Sequence, residues 1–450
     1  MTDLESYVLQ LGQRARRASR VLSGLDGNAK VGILRQMSAA LRASKPALLA
    51  ANAKDIEAAR AADLAPALIK RLELNEKKIE AMADGVDQIA GQIDPVGQVI
   101  EGFNRPNGLR IQKVRAPLGV VLFFYESRPN VTSDAAALCI KSGNAVILRG
   151  GKEAFHSNRV IVEIIQNSLK DEGGGMKDEK SGETKTQTGA LSDSALSTQH
   201  SALSDAVQFV ESTDRALVPR ILKLDKYIDL VIPRGGESLI RAVVAESTIP
   251  VLKHYTGNCH IYVDAATQGL EEMVKAVCVN AKTSYPGGAV CNAVEHLLFH
   301  KDAAARLVVP VCQALAEAGV QVRADERARG FYPSAAAATE ADWDEEYLAF
   351  IVGVKVVDSL DQAVDHINEH GSHHTDAILT SDLAAAQRFT TQVDSASVMI
   401  NASTRFADGG EYGLGAEIGI STDKLHARGP MGATDLCTYK WIVTGNGHCR

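Results

Sequence analysis

Apolar residues recur at intervals of three and four along the first part of the chain, from residue 3 to about residue 92. Val31, Leu34 and Met37 show this spacing, and polar residues fill the positions between them. Because side chains three and four apart lie on one face of an α-helix, the pattern predicts a run of amphipathic helices. Their polar faces are expected to be exposed to solvent.

A pattern typical of a β-hairpin follows these helices. Residues 96–103 and 109–115 are two strand-like runs on either side of the pair Asn107-Gly108. An Asn-Gly pair between two such runs favours a tight hairpin turn, because both residues accept a positive φ. A two-stranded hairpin is only marginally stable by itself, so this one is expected to pack on a partner.

From Gly119 onward, short apolar runs alternate with helical stretches. Apolar runs of this length are typical of strands in a parallel sheet that helices cover on both faces. The predicted strands are residues 120–125, 145–148, 207–210, 228–232, 260–264, 350–356, 376–380 and 397–401. The alternation starts again at His260, so the sequence predicts an α/β fold with two doubly wound, Rossmann-like domains.

One segment interrupts the first of these predicted domains. Residues 171–204 are rich in Gly, Ser, Thr, Lys and Glu and poor in large apolar side chains. A segment of this composition cannot bury enough apolar surface to fold, which predicts a disordered insertion in a surface loop. The elements on either side would connect without it.

Composition limits the kind of partner. The chain has 450 residues, and its 48 Lys and Arg against 55 Asp and Glu give a formal net charge of −7, with no basic run suited to nucleic acid or an anionic membrane. No apolar stretch approaches the roughly 20 residues of a membrane span, and no signal-peptide pattern opens the chain. The seven cysteines are scattered, so reduced thiols, a cytoplasmic location and a small-molecule partner are expected.

Cys291 is the most informative single residue. It follows the loop Pro286-Gly-Gly, which lets backbone approach a ligand, and precedes the apolar run 294–299, which would anchor it. A thiolate attacks acyl carbon and forms a thioester that hydride can reduce, so a cysteine presented in this way indicates acyl or aldehyde redox chemistry. The alternative is a buried, inert cysteine that acts as a small hydrophobe.

A polar cluster, Tyr-Glu-Ser-Arg-Pro-Asn-Val-Thr at 125–132, follows the predicted strand 120–125. Ligands of open α/β sheets gather beyond the carboxyl ends of strands, which makes Arg128 a candidate substrate contact. The amide of Asn130 is a candidate donor to the oxyanion that forms when Cys291 adds to a carbonyl. Equally, Asn130 could cap the helix that follows.

A second polar cluster, Arg149-Gly-Gly-Lys152-Glu153, follows the predicted strand 145–148. Two glycines let the backbone turn close to a phosphate, and Arg149 and Lys152 supply charge that suits the 2′-phosphate of NADP. The acid Glu153 leaves NAD as the alternative. No G-x-G-x-x-G directly follows a predicted strand, so a dinucleotide would be bound without that fingerprint.

Two arginines near the C-terminus, Arg405 and Arg428, lie in glycine-containing loops, and Thr404 adjoins the first. Guanidinium groups suit a carboxylate or phosphate on a small substrate, whereas structural ion pairs are the alternative. A further group of residues resembles metal ligands by type but lacks ligand spacing and a carboxylate partner, so no metal site is predicted. These residues are His254, Cys259 and His260.

Seven motifs in this order resemble the γ-glutamyl phosphate reductase family, the glutamate-5-semialdehyde dehydrogenases of the aldehyde dehydrogenase superfamily. They are residues 117–121, 125–132, 143–154, 257–264, 290–293, 401–406 and 425–432. The resemblance covers nearly all of the chain outside the insertion. It implies an aldehyde-dehydrogenase-like fold with a cofactor-binding domain (1–99 and 117–254), a catalytic domain (255–433) and a β-hairpin oligomerisation arm (100–116 and 434–450).

The resemblance also implies roles for individual residues. Cys291 falls on the family nucleophile, and Asn130 on the asparagine that stabilises the oxyanion. Glu346 falls on the acid that holds the nicotinamide ribose. Hydrolytic aldehyde dehydrogenases carry a glutamate that activates water, but the matching segment here, residues 252–257, has no carboxylate. Its absence is what a reductase requires, because water would destroy the thioester.

The implied activity is NADPH-dependent reduction of L-glutamyl 5-phosphate to L-glutamate 5-semialdehyde, with release of phosphate and a cysteine thioester, in L-proline biosynthesis. A homo-oligomer is implied as well, and association with the glutamate kinase that supplies the acyl phosphate is compatible with this activity. Two alternatives stay open: a hydrolytic NAD(P)-dependent aldehyde dehydrogenase, which would not need phosphate, and a non-catalytic dinucleotide-binding scaffold.

Overall fold

The computed structural model describes residues 3–171 and 203–450, and the chain forms two compact units. The first unit comprises the described residues of Met1–Lys253 with Leu414–Gly419 and Met431–Arg450, and the second comprises His254–Gly413 with Ile420–Pro430. Most of the predicted insertion, residues 172–202, lies outside the described residues.

Helices open the first unit, as the spacing of three and four predicts. They are α1 (Asp3–Leu22), α2 (Gly27–Ala43), α3 (Lys45–Ala61), α4 (Pro66–Leu72) and α5 (Glu76–Gly91). Side chains cap two of them: Asp26 accepts from the N–H of Ala29 at the start of α2, and Asn75 accepts from the N–H of Lys78 at the start of α5. The chain then enters the predicted hairpin, formed by β1 (Val99–Asn104) and β2 (Arg110–Pro117).

A four-stranded parallel sheet forms the centre of the first unit, in the order β5-β4-β3-β6. Its strands are β3 (Val120–Tyr125), β4 (Ala145–Gly150), β5 (Val207–Phe209) and β6 (Leu230–Arg234). The helices between and after them are α6 (Asn130–Lys141), α7 (Phe155–Asp171), α8 (Leu217–Ile221) and α9 (Glu237–Glu246). Every residue of β3 is buried, which matches its uninterrupted apolar sequence.

A seven-stranded parallel sheet forms the centre of the second unit, in the order β10-β9-β11-β8-β7-β12-β13. Its strands are β7 (Cys259–Val263), β8 (Val294–His300), β9 (Gln321–Ala324), β10 (Ala336–Ala337), β11 (Ile351–Val357), β12 (Thr375–Leu379) and β13 (Ser397–Ile400). Its helices are α10 (Glu271–Thr283), α11 (Lys301–Glu317), α12 (Glu326–Phe331), α13 (Leu360–His370) and α14 (Leu383–Gln392). The run 294–299, predicted to anchor Cys291, is the central strand β8.

Helices cover both faces of the seven-stranded sheet. Ile261 and Val263 belong to a core cluster with side chains of α10 and α11, whereas Tyr262, between them, belongs to a second cluster with side chains of α13 and α14. Successive residues of a strand point to opposite faces, so the two clusters lie on opposite sides of one sheet. The predicted α/β fold with doubly wound parallel sheets is confirmed.

The hairpin gains a third strand. After the short pair β14 (Gly419–Ser421) and β15 (Gly429–Met431), β16 (Cys437–Thr444) pairs antiparallel with β2 from Cys437 opposite Pro117 to Thr444 opposite Arg110. We call the sheet β1-β2-β16 the arm sheet. Within the residues that the structure describes, no helix combines the length and the apolar character needed to cross a membrane.

Candidate active site

Cys291 lies in the turn that leads into β8, at the amino edge of the seven-stranded sheet. The residues before it, Pro286–Gly288, form a short 3₁₀ turn in which Gly287 and Gly288 have φ of 72° and 67°. A side chain would strain either position, so the two glycines serve the turn that presents the cysteine. The cysteine itself is half-buried.

Contacts from three directions fix the Cys291 turn. A Cβ at Gly257 would lie 1.9 Å from the Cys291 carbonyl oxygen, so only glycine allows this approach. The thiol of Cys259 donates to the same carbonyl oxygen at 3.2 Å. Thr404, fully buried, donates its hydroxyl to the carbonyl oxygen of Asn292 at 2.7 Å. Thr404 therefore holds the turn, and its predicted contact with substrate stays a prediction.

Two histidines flank the sulfur of Cys291. One side-chain nitrogen each of His254 and His374 and the sulfur all lie within 4.8 Å of one another. His254 precedes β7 and His374 immediately precedes β12, and β7 lies between β8 and β12 in the sheet. Parallel pairing of these three strands therefore gathers their amino ends, and with them the cysteine and both histidines.

The Nδ1 atom of each histidine ring has a polar partner. His254 Nδ1 lies 2.8 Å from the carbonyl oxygen of Ile420, and because a carbonyl only accepts, Nδ1 carries the hydrogen. His374 Nδ1 lies 2.9 Å from the hydroxyl of Thr375. These contacts orient the imidazole rings and direct each Nε2 away from the outer partner.

The histidines change the acidity of the thiol. Burial alone would raise the pKa of Cys291, but the charge of His374 and hydrogen bonds from His254 and His374 outweigh it, so this pKa falls well below its ordinary value. Burial raises the pKa of five other cysteines, Cys139, Cys259, Cys278, Cys312 and Cys437. Cys291 is thus the cysteine whose surroundings favour a reactive thiolate.

Charged side chains are enclosed around this cluster. Lys282 Nζ lies 2.6 Å from Glu295 Oε2, and neither side chain is exposed at all. Burial lowers the pKa of Lys282 and raises that of Glu295 to about 8. Glu346 accepts the backbone N–H of Gly257 at 2.7 Å, and burial raises its pKa. The predicted contact of Glu346 with a ribose stays a prediction.

The two candidate substrate arginines have different partners. Arg428 makes an ion pair with Asp394, with 3.0 Å between Nη1 and Oδ1, and donates to the Asp394 carbonyl oxygen as well. Arg405 donates from Nε to Ser284 at 3.2 Å and lies over the ring of Tyr285, while its buried Nη1 makes no hydrogen bond. Each arginine keeps one buried nitrogen without a hydrogen bond, Nη1 of Arg405 and Nε of Arg428, but only Arg428 is shown here with a carboxylate partner. The predicted contacts of both arginines with substrate stay predictions.

In the first unit, side chains tie together the loops at the carboxyl edge of the four-stranded sheet. The loop after β3 contacts the loop after β4 because Glu153 accepts from the N–H and the hydroxyl of Ser127, at 2.7 and 2.9 Å. The same loop contacts the one after β6 because Glu126 accepts the N–H of Gly236 at 3.1 Å. Ser127 has φ of 47°, so these contacts hold a strained backbone in place.

Arg149 ends β4 in this edge, and Lys152 follows it on the surface. The Arg149 Nε is buried without a hydrogen-bond partner, and burial together with the charge of Arg215 lowers the pKa of this guanidinium. The intervening glycines do not adopt positive φ; a Cβ at Gly150 would instead lie 2.2 Å from Asn158 Nδ2. Close packing against Asn158 therefore accounts for Gly150, and the predicted approach of this backbone to a phosphate stays a prediction.

Asn130 does not cap the following helix. It is the first residue of α6, the N-cap position belongs to Pro129, and its Nδ2 donates to Asp134 at 3.1 Å one turn later. Burial raises the pKa of Asp134 to about 6. The side chain of Asn130 is exposed, and Arg128, two residues earlier, is partly buried. Both predicted contacts, with the oxyanion and with substrate, stay predictions.

Sequence reasoning missed His374 and gave His254 no role beside the sulfur. His260, considered with His254 and Cys259 as a metal ligand, is enclosed and lies 3.2 Å from Asp376. The group that does assemble is His254, Cys291 and His374. The only local sign of His374 is the pair of adjacent histidines before a predicted strand, and nothing in the sequence places that strand beside β7.

Comparisons with known proteins give one consistent result. A protein named gamma-glutamyl phosphate reductase from Rhodopirellula baltica is 50% identical over 448 residues, covering 100% of this chain and 96% of that protein. A protein of the same name from Paramagnetospirillum magneticum is 46% identical over 449 residues, covering 100% of this chain and 99% of that protein. No family model matches the chain.

Solved structures agree. Gamma-glutamyl phosphate reductase from Thermotoga maritima superposes with a TM-score of 0.88 at 40% identity, covering 98% of this chain and 99% of that one. An acetylating aldehyde dehydrogenase from Geobacillus thermoglucosidasius gives 0.64 at 16% identity over 100% of both chains. An engineered glycolyl-CoA reductase with bound NADP+ gives 0.63 at 13%, covering 97% of this chain and 96% of that one. The last two likenesses show the aldehyde-dehydrogenase-like fold.

Proposed function

Because the chain belongs to the γ-glutamyl phosphate reductase family, we propose that Cys291 is the nucleophile of that family's reaction. The enzyme reduces L-glutamyl 5-phosphate to L-glutamate 5-semialdehyde, a step of proline biosynthesis. One observation carries the assignment of Cys291: its thiol lies between His254 and His374, which lower its pKa, in a turn clamped by Gly257 and Thr404.

In the proposed mechanism the Cys291 thiolate attacks the acyl carbon, and phosphate leaves as a thioester forms. The backbone N–H of Cys291 and the amide of Asn130 are the proposed donors to the oxyanion. The thioester would be reduced by hydride, which is the chemistry that a nicotinamide dinucleotide would supply when bound. As the resulting thiohemiacetal collapses, the sulfur returns to the thiolate that the two histidines stabilise, and the semialdehyde is released.

A hydrolytic aldehyde dehydrogenase is the nearest alternative. By resemblance, residues 252–257 match the segment in which those enzymes carry their water-activating glutamate, but they include no carboxylate. His254, within this segment, donates its Nδ1 hydrogen to the carbonyl oxygen of Ile420. Glu346 is a neighbouring carboxylate, yet one oxygen accepts from Gly257 and burial raises its pKa. Phosphate is therefore the acyl acceptor we propose for the reverse reaction. Oxidation of the semialdehyde that proceeds without phosphate or arsenate would favour the hydrolytic alternative.

We place the dinucleotide at the carboxyl edge of the four-stranded sheet. The buried Arg149 Nε has no hydrogen-bond partner and feels the charge of Arg215, so a phosphate there would satisfy both charge and hydrogen bonding. Lys152 adds an exposed cation, whereas Glu153 is occupied by Ser127 and is poorly available for a ribose. These features favour NADPH over NADH. Glu346 is the proposed partner of the nicotinamide ribose.

Arg405 is the cation we assign to the anionic substrate. Its buried Nη1 makes no hydrogen bond, and its contacts with Ser284 and Tyr285 place it beside the turn that leads to Cys291. Arg428 is neutralised by Asp394, so its proposed contribution is structural. Arg128 and Thr404 remain proposed substrate contacts, carried by the resemblance. Location in the cytoplasm and association with a glutamate kinase are proposed on the same ground.

The arm sheet is the proposed oligomerisation surface. Phe103, Tyr439, Trp441 and Val443 are each 45–56% exposed on it, an apolar patch of the kind that partner chains cover. Trp441→Lys should lower the mass of the particle measured by light scattering. Leu383→Lys, on α14, replaces an apolar residue that is even more exposed, at 81%, and should leave the mass unchanged. A Trp441→Lys protein of native mass would exclude this surface.

Cys291→Ser tests the nucleophile. A serine hydroxyl is not ionised near neutral pH, so phosphate-dependent reduction of NADP by the semialdehyde should fall by at least about 1000-fold, while NADPH binding is kept. Cys449→Ser changes an exposed cysteine and should keep full activity. Activity of Cys291→Ser above a trace would refute the assignment. Inactivation by iodoacetamide that substrate prevents would exclude the non-catalytic scaffold.

A further inference from the structure

The cluster of His254, Cys291 and His374 has the composition of a zinc site. The three ligand atoms lie within 4.8 Å of one another. In a tetrahedral zinc site with Zn–S of about 2.3 Å and Zn–N of about 2.0–2.1 Å, the ligand atoms stand roughly 3.3–3.6 Å apart. The distance between any two of these atoms therefore has to shorten by no more than about 1.5 Å to match a zinc site, and side-chain rotation can supply this change.

The surroundings of both histidines match those of metal ligands. A histidine that binds a metal almost always uses its other ring nitrogen for a hydrogen bond that fixes the tautomer. His254 Nδ1 donates to the Ile420 carbonyl oxygen, and His374 Nδ1 contacts the Thr375 hydroxyl. His374 is 1% exposed, and its buried Nε2 makes no hydrogen bond of ordinary distance and angle, so this nitrogen is available to a metal ion.

The ligand set selects the ion. One thiolate and two imidazoles suit Zn²⁺ and exclude Mg²⁺ and Ca²⁺, which prefer oxygen ligands. Three protein ligands leave one coordination position for water, and His254 and Cys291 are partly exposed, so an ion from solvent can reach them. Among the residues that the structure describes, the cluster holds these three ligands, so binding should be reversible by a chelator.

We propose that Cys291, His254 and His374 form a Zn²⁺ site that silences the enzyme when it is filled. The ion binds the sulfur lone pairs that the acyl carbon needs, and any proton still on the thiol is released to solvent. Zinc and an acylated Cys291 therefore exclude each other. The binding rests on geometry alone, whereas the silencing rests on the proposed function of Cys291.

Cobalt provides a direct readout, because Co²⁺ occupies zinc sites and gives a near-ultraviolet band when a thiolate is bound. The chelator-treated full-length chain, titrated with Co²⁺ in a buffer without phosphate, should develop this band to one ion per chain, and Zn²⁺ should abolish it. Cys291→Ser should lose the band, whereas Cys449→Ser should retain it. A band that follows Cys449, or no band at all, would overturn the proposal.

Positioning of His374 by Thr375 gives a finer test. Thr375→Val removes the hydroxyl beside Nδ1 at nearly constant volume and should weaken Co²⁺ binding by about 10–100-fold. An unchanged affinity would contradict the positioning of His374 by Thr375. Alkylation of Cys291 by iodoacetamide supplies the matching functional readout: Zn²⁺ should slow it, a chelator should restore it, and Mg²⁺ should have no effect.

The failure of this inference can be told from a failure of the proposed function. If Cys291→Ser is inactive and the wild-type chain gives no cobalt–thiolate band, the assignment of Cys291 as the nucleophile is kept and the zinc site is rejected. If Cys291→Ser keeps activity while the wild-type chain gives the band, the metal site is kept, and the proposal that bound zinc inhibits the enzyme is rejected.

Discussion

The two parallel sheets carry their candidate chemistry at opposite edges. In the four-stranded sheet the candidates follow the carboxyl ends of strands, where Glu126 and Glu153 tie three loops by accepting backbone N–H groups. In the seven-stranded sheet Cys291, His254 and His374 precede the amino ends of β8, β7 and β12. Only the first arrangement follows the general rule for ligands of open α/β sheets.

The two edges also differ in how they hold charge. At the carboxyl edge, Lys152 is exposed and Arg149 keeps a buried nitrogen without a partner, so an incoming anion would complete the site. At the amino edge, Lys282 and Glu295 are enclosed and paired, and two histidines already stabilise a thiolate. A site with an unpartnered cationic group suits the binding of an anionic ligand. A site whose charges are already paired suits a nucleophile that is ionised before the substrate binds.

Breaking the enclosed pair should give the largest effect. Lys282→Met leaves Glu295 in the interior without its cation, which should lower the free energy of unfolding by about 3–5 kcal/mol. Urea unfolding followed by circular dichroism measures this. Lys275→Met, on the same helix but in a surface pair with Glu272, should change it by no more than about 0.5 kcal/mol. Equal changes in the free energy of unfolding for the two variants would mean that burial of the Lys282–Glu295 pair adds nothing to its contribution.

Removing one histidine should give a smaller loss, in activity. His374→Ala takes away the charge that counts most in lowering the pKa of Cys291, so kcat/KM at neutral pH should fall about 100-fold. His373→Asn is the matched control, because His373 has φ of 59° and asparagine tolerates that conformation.

The pH dependence of alkylation shows whether the cause is the thiolate. In the wild-type chain the pKa of Cys291 is lowered, so its reaction with iodoacetamide should stay fast as pH falls below the ordinary cysteine range near 8.5. In His374→Ala the pKa rises, and the same reaction should slow at neutral pH and recover only in alkali. Parallel profiles for the two proteins would show that His374 acts on something other than the thiolate.

Local patterns predicted most of the fold. The helical spacing of residues 3–92 and the apolar run of β3 appear in the structure almost as predicted, because each depends on burial of a periodic face. No prediction covered α11, β9 or α12. The run 294–299 was predicted to anchor Cys291 and proved to be a central strand, because a short apolar run does not reveal its place in a sheet.

The site was harder to predict because strand order assembles it. The Pro-Gly-Gly loop before Cys291 was visible in the sequence. His374, in contrast, lies near the sulfur only because β12 pairs with β7. Arg405 and Arg428 look alike in sequence, and only Asp394 distinguishes them. Asn130 was interpreted as a possible cap because asparagine commonly caps helices, but α6 begins at Asn130 itself. The differences at His374 and Arg428 come from partners distant in sequence, whereas the difference at Asn130 is a shift of the helix boundary.

The smallest effect is expected at the exposed carboxyl edge. Lys152→Ala removes the charged contact that we propose for a 2′-phosphate, which should weaken NADPH binding about tenfold and NADH binding less than about twofold. Nucleotide fluorescence titration measures both. Lys77→Ala, on the exposed face of α5, should change neither. Because Lys152 is solvated before the cofactor arrives, its removal should leave the free energy of unfolding unchanged, unlike the removal of Lys282. If Lys152→Ala weakened both nucleotides equally, the residue would not read the 2′-phosphate, and cofactor preference would have to be sought at Arg149.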